Sequence, residues 1–194
     1  MVAMCHRFLL SCASRGAFCC YKRGDKKMNI SNMGIEALKR QEGRVTNAGR
    51  HVLYDDQTGR PVPAGAPLPP GATIGYGHLV RPGEDFRAGI TESAATELLR
   101  TDVAAVMRAV RDSITVDLAQ HQYDALVMFA YNIGAGAFAR SSVVRYVNNP
   151  EFRCARYPTL RDAWYAWNRS GGRIMPGLVR RREYEFRLFT TGAY

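Results

Sequence analysis

The chain has 194 residues, 46% of them hydrophobic and 23% charged, which suits one globular domain with a sizeable core and excludes a wholly disordered chain. No apolar run approaches the roughly 18 residues that a membrane-spanning helix needs, so stable membrane insertion is not expected. A formal charge of +10 points to an anionic partner, whether nucleic acid, acidic lipid or an anionic wall polymer.

The charge sits at both ends. Residues 1–27 carry Arg7, Arg15, Lys22, Arg23, Lys26 and Lys27 against Asp25 alone. They also hold Cys5, Cys12, Cys19 and Cys20, a clustering unlike a disulfide framework, which bridges distant segments. Arg15 interrupts the apolar stretch and makes it a poor export signal. This segment reads as a basic, disordered arm ahead of a domain over 28–194, with Met28 an alternative start. From Arg140 onward, eleven arginines face four acidic residues.

Along the domain, SNMGIEALKRQEG (31–43) spaces Ile35 and Leu38 for a short helix, with Ser31 or Asn32 as cap, Gly43 as stop and Glu42 in the last turn. Residues 44–90 are rich in Gly, Pro and Thr. There LYDD and ATIGYGHLV read as short strands and VPAGAPLPPGA as a long loop, best placed at the surface. A Thr-capped helix is predicted over 91–112. A second, over 118–133, is apolar around most of its circumference and closed by Gly134 and Gly136. Shorter helices are predicted near 137–148 and 159–168, and a last one starts at Pro176. The fold class is α+β, with a small β-rich lobe, a larger helical lobe and an active-site cleft between them.

A carboxylate such as Glu42 at a helix C-terminus faces the negative end of the macrodipole, and partial burial acts in the same direction. Both favour the protonated form that a general acid needs. Asp55 and Asp56 close a strand before a turn, and alternation lets only one of them face Glu42. Alternation also places Thr73, Gly75 and Gly77 on one face and Ile74, Tyr76 and His78 on the other. Taken singly, these residues are a helix end, a turn-forming Asp pair and a Gly-rich hairpin. Together, two carboxylates and a hydroxyl make a glycoside-hydrolysis constellation.

With QEG, LYDD and TIGYGH in that order, the sequence resembles the phage-type lysozymes, glycoside hydrolase family 24. QHQYDALVMFAYNIGAGAF and WYAWNRSGGRIMPGLVRRREYEFRLF are similar to that family's later motifs, and the resemblance spans about 30–191. It implies Glu42, Asp56 and Thr73 as the catalytic set, with Tyr54 fixing the choice of Asp56, and Gly75, Tyr76, Leu79, Phe129 and Asn132 as substrate contacts. The family's Arg-Arg pair implies that one of Arg180, Arg181 and Arg182 turns toward the carboxylates. Thirteen residues separate Glu42 from Asp56 and sixteen separate Asp56 from Thr73, more than is common in the family. Longer loops cost little if their ends stay paired.

The implied activity is a muramidase that cleaves the β-1,4 bond between N-acetylmuramic acid and N-acetylglucosamine, as a bacteriolytic phage endolysin. A lytic transglycosylase and a non-catalytic wall or nucleic-acid binder are the alternatives. The expected partner is bacterial peptidoglycan, with no nucleic acid, and the expected state is a monomer held in the host cytoplasm before lysis. No cofactor is expected, and no metal, since the histidines and cysteines lack ligand spacing. His78 is expected to buttress the lobe through a carboxylate, and Trp164 and Trp167 to be core rather than sugar platform.

Overall fold

The computed structural model describes residues 28–194, and the arm expected at 1–27 lies outside them. Helix α1 (Asn32–Gln41) is capped by Ser31, whose Oγ accepts from the Gly34 amide at 2.9 Å. Ile35 and Leu38 are fully buried, as their spacing predicted. The helix ends one residue earlier than Gly43 would end it. Glu42 is itself the C-cap, in extended conformation at φ −89° and ψ 141°.

Two antiparallel elements form the small lobe. The hairpin of β1 (Thr46–Asn47) and β2 (Arg50–His51) turns through Ala48 and Gly49, both at positive φ, and the sequence reading had no strand there. The strands β3 (Tyr54–Asp55), β4 (Ala72–Ile74) and β5 (His78–Leu79) form a three-stranded sheet in that order, pairing Tyr54 with Thr73 and Ile74 with His78. Strand β4 stops at Ile74. Residues 75–77 turn through Gly75 and Gly77 at φ 65° and 92°, so the expected alternation does not run on to Gly77.

Helix α2 (Glu92–Ser113), capped by Thr91, ties the lobes together. Near its start, Gly75 lies so close that a Cβ there would sit 3.5 Å from that of Ala95. About two turns further, Asp102 meets His78 Nδ1 at 2.9 Å, while His78 Nε2 meets Glu84 at 2.9 Å. That is the carboxylate buttress expected of His78.

Helix α3 (Gln120–Ile133) is the centre of the helical lobe, buried at every position from Tyr123 to Ala130. It packs against α1, α2, α4 (Ala135–Ala139) and α7 (Pro176–Thr191). Gly134 closes it, but Gly136 lies inside α4. The single helix expected over 137–148 is two, because Ser141 leaves the helix to cap α5 (Ser142–Asn148). After α6 (Leu160–Tyr165), a hairpin of β6 (Arg169–Ser170) and β7 (Arg173–Ile174) leads into α7, with Pro176 in its first turn. Trp164 is wholly buried and Trp167 half-buried, with the Phe129 ring 4.8 Å from Trp164 and 6.2 Å from Trp167.

Candidate active site

Ending α1 at Glu42 swings its carboxylate out of the helix and toward α7. Arg181 Nη2 donates to Glu42 Oε1 at 2.6 Å, and the Glu42 side chain is 18% exposed. The other oxygen faces the sheet lobe. A Cβ on Gly77 would come within 4.0 Å of Glu42 Oε2 and 3.9 Å of the Tyr131 hydroxyl, so the glycine keeps this approach open.

Arg181 is fixed in turn. Its Nε donates to Glu185 Oε1 at 3.1 Å. Glu185 is fully buried and also receives Trp164 Nε1 at 3.2 Å and Arg182 Nη2 at 3.0 Å. Arg182 donates onward to Asn132 Oδ1 at 2.7 Å, and its guanidinium lies 5.0 Å above the Phe129 ring. Arg181 and Arg182 thus link Glu42, Glu185 and Asn132 in one chain of hydrogen bonds. Desolvation works against the Arg181 charge, but the Glu42 and Glu185 carboxylates outweigh it and hold its pKa above the ordinary value. Arg180 is exposed, so of the three adjacent arginines two turn inward.

In the sheet lobe, Asp55 accepts from the Gln57 amide at 2.9 Å and the Thr58 hydroxyl at 3.0 Å, which commits it to the turn. Asp56 follows it, exposed. Thr73 is buried and donates its hydroxyl proton to the Gly71 carbonyl at 2.9 Å, so its lone pairs are left to accept. Burial, and then the charges of Asp56 and Glu42, push the Tyr54 phenol above its ordinary pKa.

The other expected contacts are distributed differently. Phe129 is wholly buried, so its ring meets Trp164 and Arg182 rather than a ligand, which corrects that expectation. At Gly75 the side that would bear a Cβ faces Ala95 and Ile90. Tyr76 is 2% exposed, and its hydroxyl donates to Glu92 at 2.5 Å and accepts from Arg44 at 3.2 Å. It lines a polar cavity of about 410 Å³ whose wall includes Glu42, Lys39 and Glu92. Leu79 is 58% exposed, and Asn132 is exposed with its carbonyl held by Arg182. A separate cavity of about 630 Å³, bounded by Leu118, Tyr146 and Phe189, has Asp117 as the one acid in its lining. Sequence reading missed Glu185, although its spacing from Arg181 and Arg182 is that of side chains meeting on one helix face.

Residues 45–185 match the family model described as phage lysozyme. The endolysin of Bacillus phage B103 is 40% identical over 167 residues, covering 85% of this chain and 55% of that one. The chain therefore spans just over half the length of that relative. The endolysin of Salmonella phage P22 is 36% identical over 165 residues, 84% of this chain and 98% of that one. Among solved structures, the muramidase domain of SpmX from Asticaccaulis excentricus superposes with a TM-score of 0.63 at 32% identity, over 84% of this chain and 98% of that domain. With the family model matched over most of the domain and the P22 endolysin over nearly its whole length, the chain belongs to the phage lysozyme family.

Proposed function

We propose that this protein is a peptidoglycan hydrolase, a phage endolysin that cleaves the β-1,4 bond between N-acetylmuramic acid and N-acetylglucosamine. One observation carries the reading: Glu42 has one carboxylate oxygen tied to Arg181 and the other turned toward the lobe that bears Asp56 and Thr73.

In the proposed reaction, Glu42 carries a proton on Oε2 and gives it to the bridging oxygen as the glycosidic bond breaks. Water attacks the anomeric carbon from the opposite face, losing its proton to Asp56, while the Thr73 oxygen accepts the water's second hydrogen. One bond to oxygen breaks, another forms, and the product is the inverted hemiacetal. No described helix is long and apolar enough to cross a membrane. The proposed setting is a monomer that accumulates in the host cytoplasm and reaches the wall once the membrane is breached, without binding nucleic acid.

The test is loss of turbidity by outer-membrane-permeabilised cells, followed by mass analysis of the fragments. Hydrolysis adds one water per cleavage, and Glu42→Gln is expected to abolish it. Undiminished lysis by Glu42→Gln would remove that residue from the reaction, and 1,6-anhydro products would replace hydrolysis with transglycosylation.

A further inference from the structure

Tyr54 stands directly opposite Thr73 in the β3–β4 register, so their side chains share one face of the sheet. Asp56 stands in the turn just past β3, two positions from Tyr54, and its amide donates to the Gly71 carbonyl at 3.4 Å, which carries the pairing with β4 one residue beyond Asp55. Whereas Asp55 takes two hydrogen bonds from its own turn, Asp56 takes none on its carboxylate from any described residue. An exposed carboxylate without a donor has no fixed rotamer, yet a group that holds an attacking water must be held itself.

The ring of Tyr54 is buried, with the residue 7% exposed. Its hydroxyl is not. Among the described residues, the fully buried side-chain polar atoms without a partner are His51 Nδ1 and Arg182 Nε. No described group bonds the Tyr54 oxygen, so it meets solvent, and the Asp56 carboxylate is near enough for its charge to act on it. The neighbouring tyrosines are already engaged, Tyr76 with Glu92 and Tyr131 with the Tyr76 carbonyl. Burial, and then the Asp56 and Glu42 charges, push the Tyr54 phenol above its ordinary pKa, which keeps it a neutral donor.

We infer that Tyr54 is a positioning residue: its hydroxyl donates a hydrogen bond, directly or through one water, to the Asp56 carboxylate and fixes it in the rotamer that holds the attacking water. This rests on the hydrolase reading above. Tyr54→Phe deletes one oxygen and keeps the buried ring, so the fold is retained.

The experiment measures reducing-end release by the full chain from solubilised peptidoglycan glycan strands, with thermal unfolding in parallel. Tyr54→Phe is expected to lower kcat about tenfold, the effect of losing one hydrogen bond to a charged group, with KM changed less than about twofold. Tm is expected to move by less than about 2 °C. An unchanged kcat overturns the inference, as does a loss carried by KM or one matched by a fall in Tm. A wild-type chain that releases no reducing ends overturns the hydrolase reading, and the role of Tyr54 falls with it.

Discussion

Arg181 and Glu42 are 139 positions apart in the chain, yet the guanidinium and carboxylate meet at 2.6 Å with the arginine 8% exposed. The contact binds the end of the first helix to the last one, and so sets the direction of the carboxylate relative to the sheet lobe.

Arg181→Met keeps the apolar stem and removes the guanidinium. Glu185, fully buried, then loses one of its two arginine partners, and Glu42 loses its anchor. Breaking a buried pair this way costs about 3–5 kcal/mol, which urea denaturation will read as a lower midpoint. Lytic activity per folded molecule is expected to fall at least tenfold. Arg181→Lys is expected to lie between the two, since one ammonium cannot span both carboxylates as the planar fork does.

Gly34 is predicted to be intolerant of alanine. A Cβ there would sit 2.7 Å from Asp124 Cγ and Oδ2 and 2.8 Å from Ile30 Cγ1. Asp124 cannot yield easily, because it is buried and accepts from the Ser31 amide, the Ser31 hydroxyl, Gln120 and Tyr194. Overpacking of this kind costs about 1–3 kcal/mol. The expected result for Gly34→Ala is a lower Tm in calorimetry, with near wild-type lysis at temperatures where the protein stays folded.

What the sequence made legible follows from the strength of local signals. Ser31, Thr91 and Pro176 mark their helix starts because caps and a missing amide hydrogen act within one turn. Asp56 could be preferred to Asp55 only by counting from Tyr54, because both lie at the end of a two-residue strand that runs into a turn. The hairpins at 46–51 and 169–174 were not legible, since strands of two residues have no period to detect. Phe129 was misread for a related reason: α3 is buried on nearly all sides, so periodicity there cannot say which side chains reach a cleft. The inward turn of Arg181 and Arg182 depends on Glu185 and Asn132, and their partnership exists only once α3 and α7 have packed.

The Pro-rich loop offers a test of how far the small lobe can be trimmed. Its start runs beside β3, with the Val62 amide on the Leu53 carbonyl at 2.8 Å and Pro61 bridged to Tyr54. Beyond that, Pro63 to Leu68 are largely exposed and held by Arg87 donating to the Ala66 carbonyl at 2.9 Å. Replacing 63–68 by a short Gly-Ser turn is expected to change stability by less than about 1 kcal/mol, because closure entropy varies slowly with loop length. Lysis rates should stay within about twofold. A much larger loss in the turbidity assay, with stability intact, would show that the loop contacts the glycan.

Stability should depend on pH through Glu92. Desolvation acts to raise its pKa, but hydrogen bonds from Lys39, Tyr76 and His51 outweigh it and hold the carboxyl at about 2, against 4.5 without the fold. The unfolded chain therefore binds the proton first as the medium is acidified. The stabilisation is complete above pH 4.5 and is lost as the pH falls from 4.5 to about 2. Urea denaturation of the wild type and Glu92→Gln across that range isolates the effect, since Glu84, whose pKa His78 also lowers, contributes equally to both proteins. The wild type should be the more stable at neutral pH, with the gap closing through the acid range. Because the Glu92 side chain is half-exposed, about 0.5 M salt should narrow the gap at every pH. A gap that stays constant from neutrality to pH 2 would mean that the ionisation of Glu92 does not stabilise the link between α1, β2 and α2.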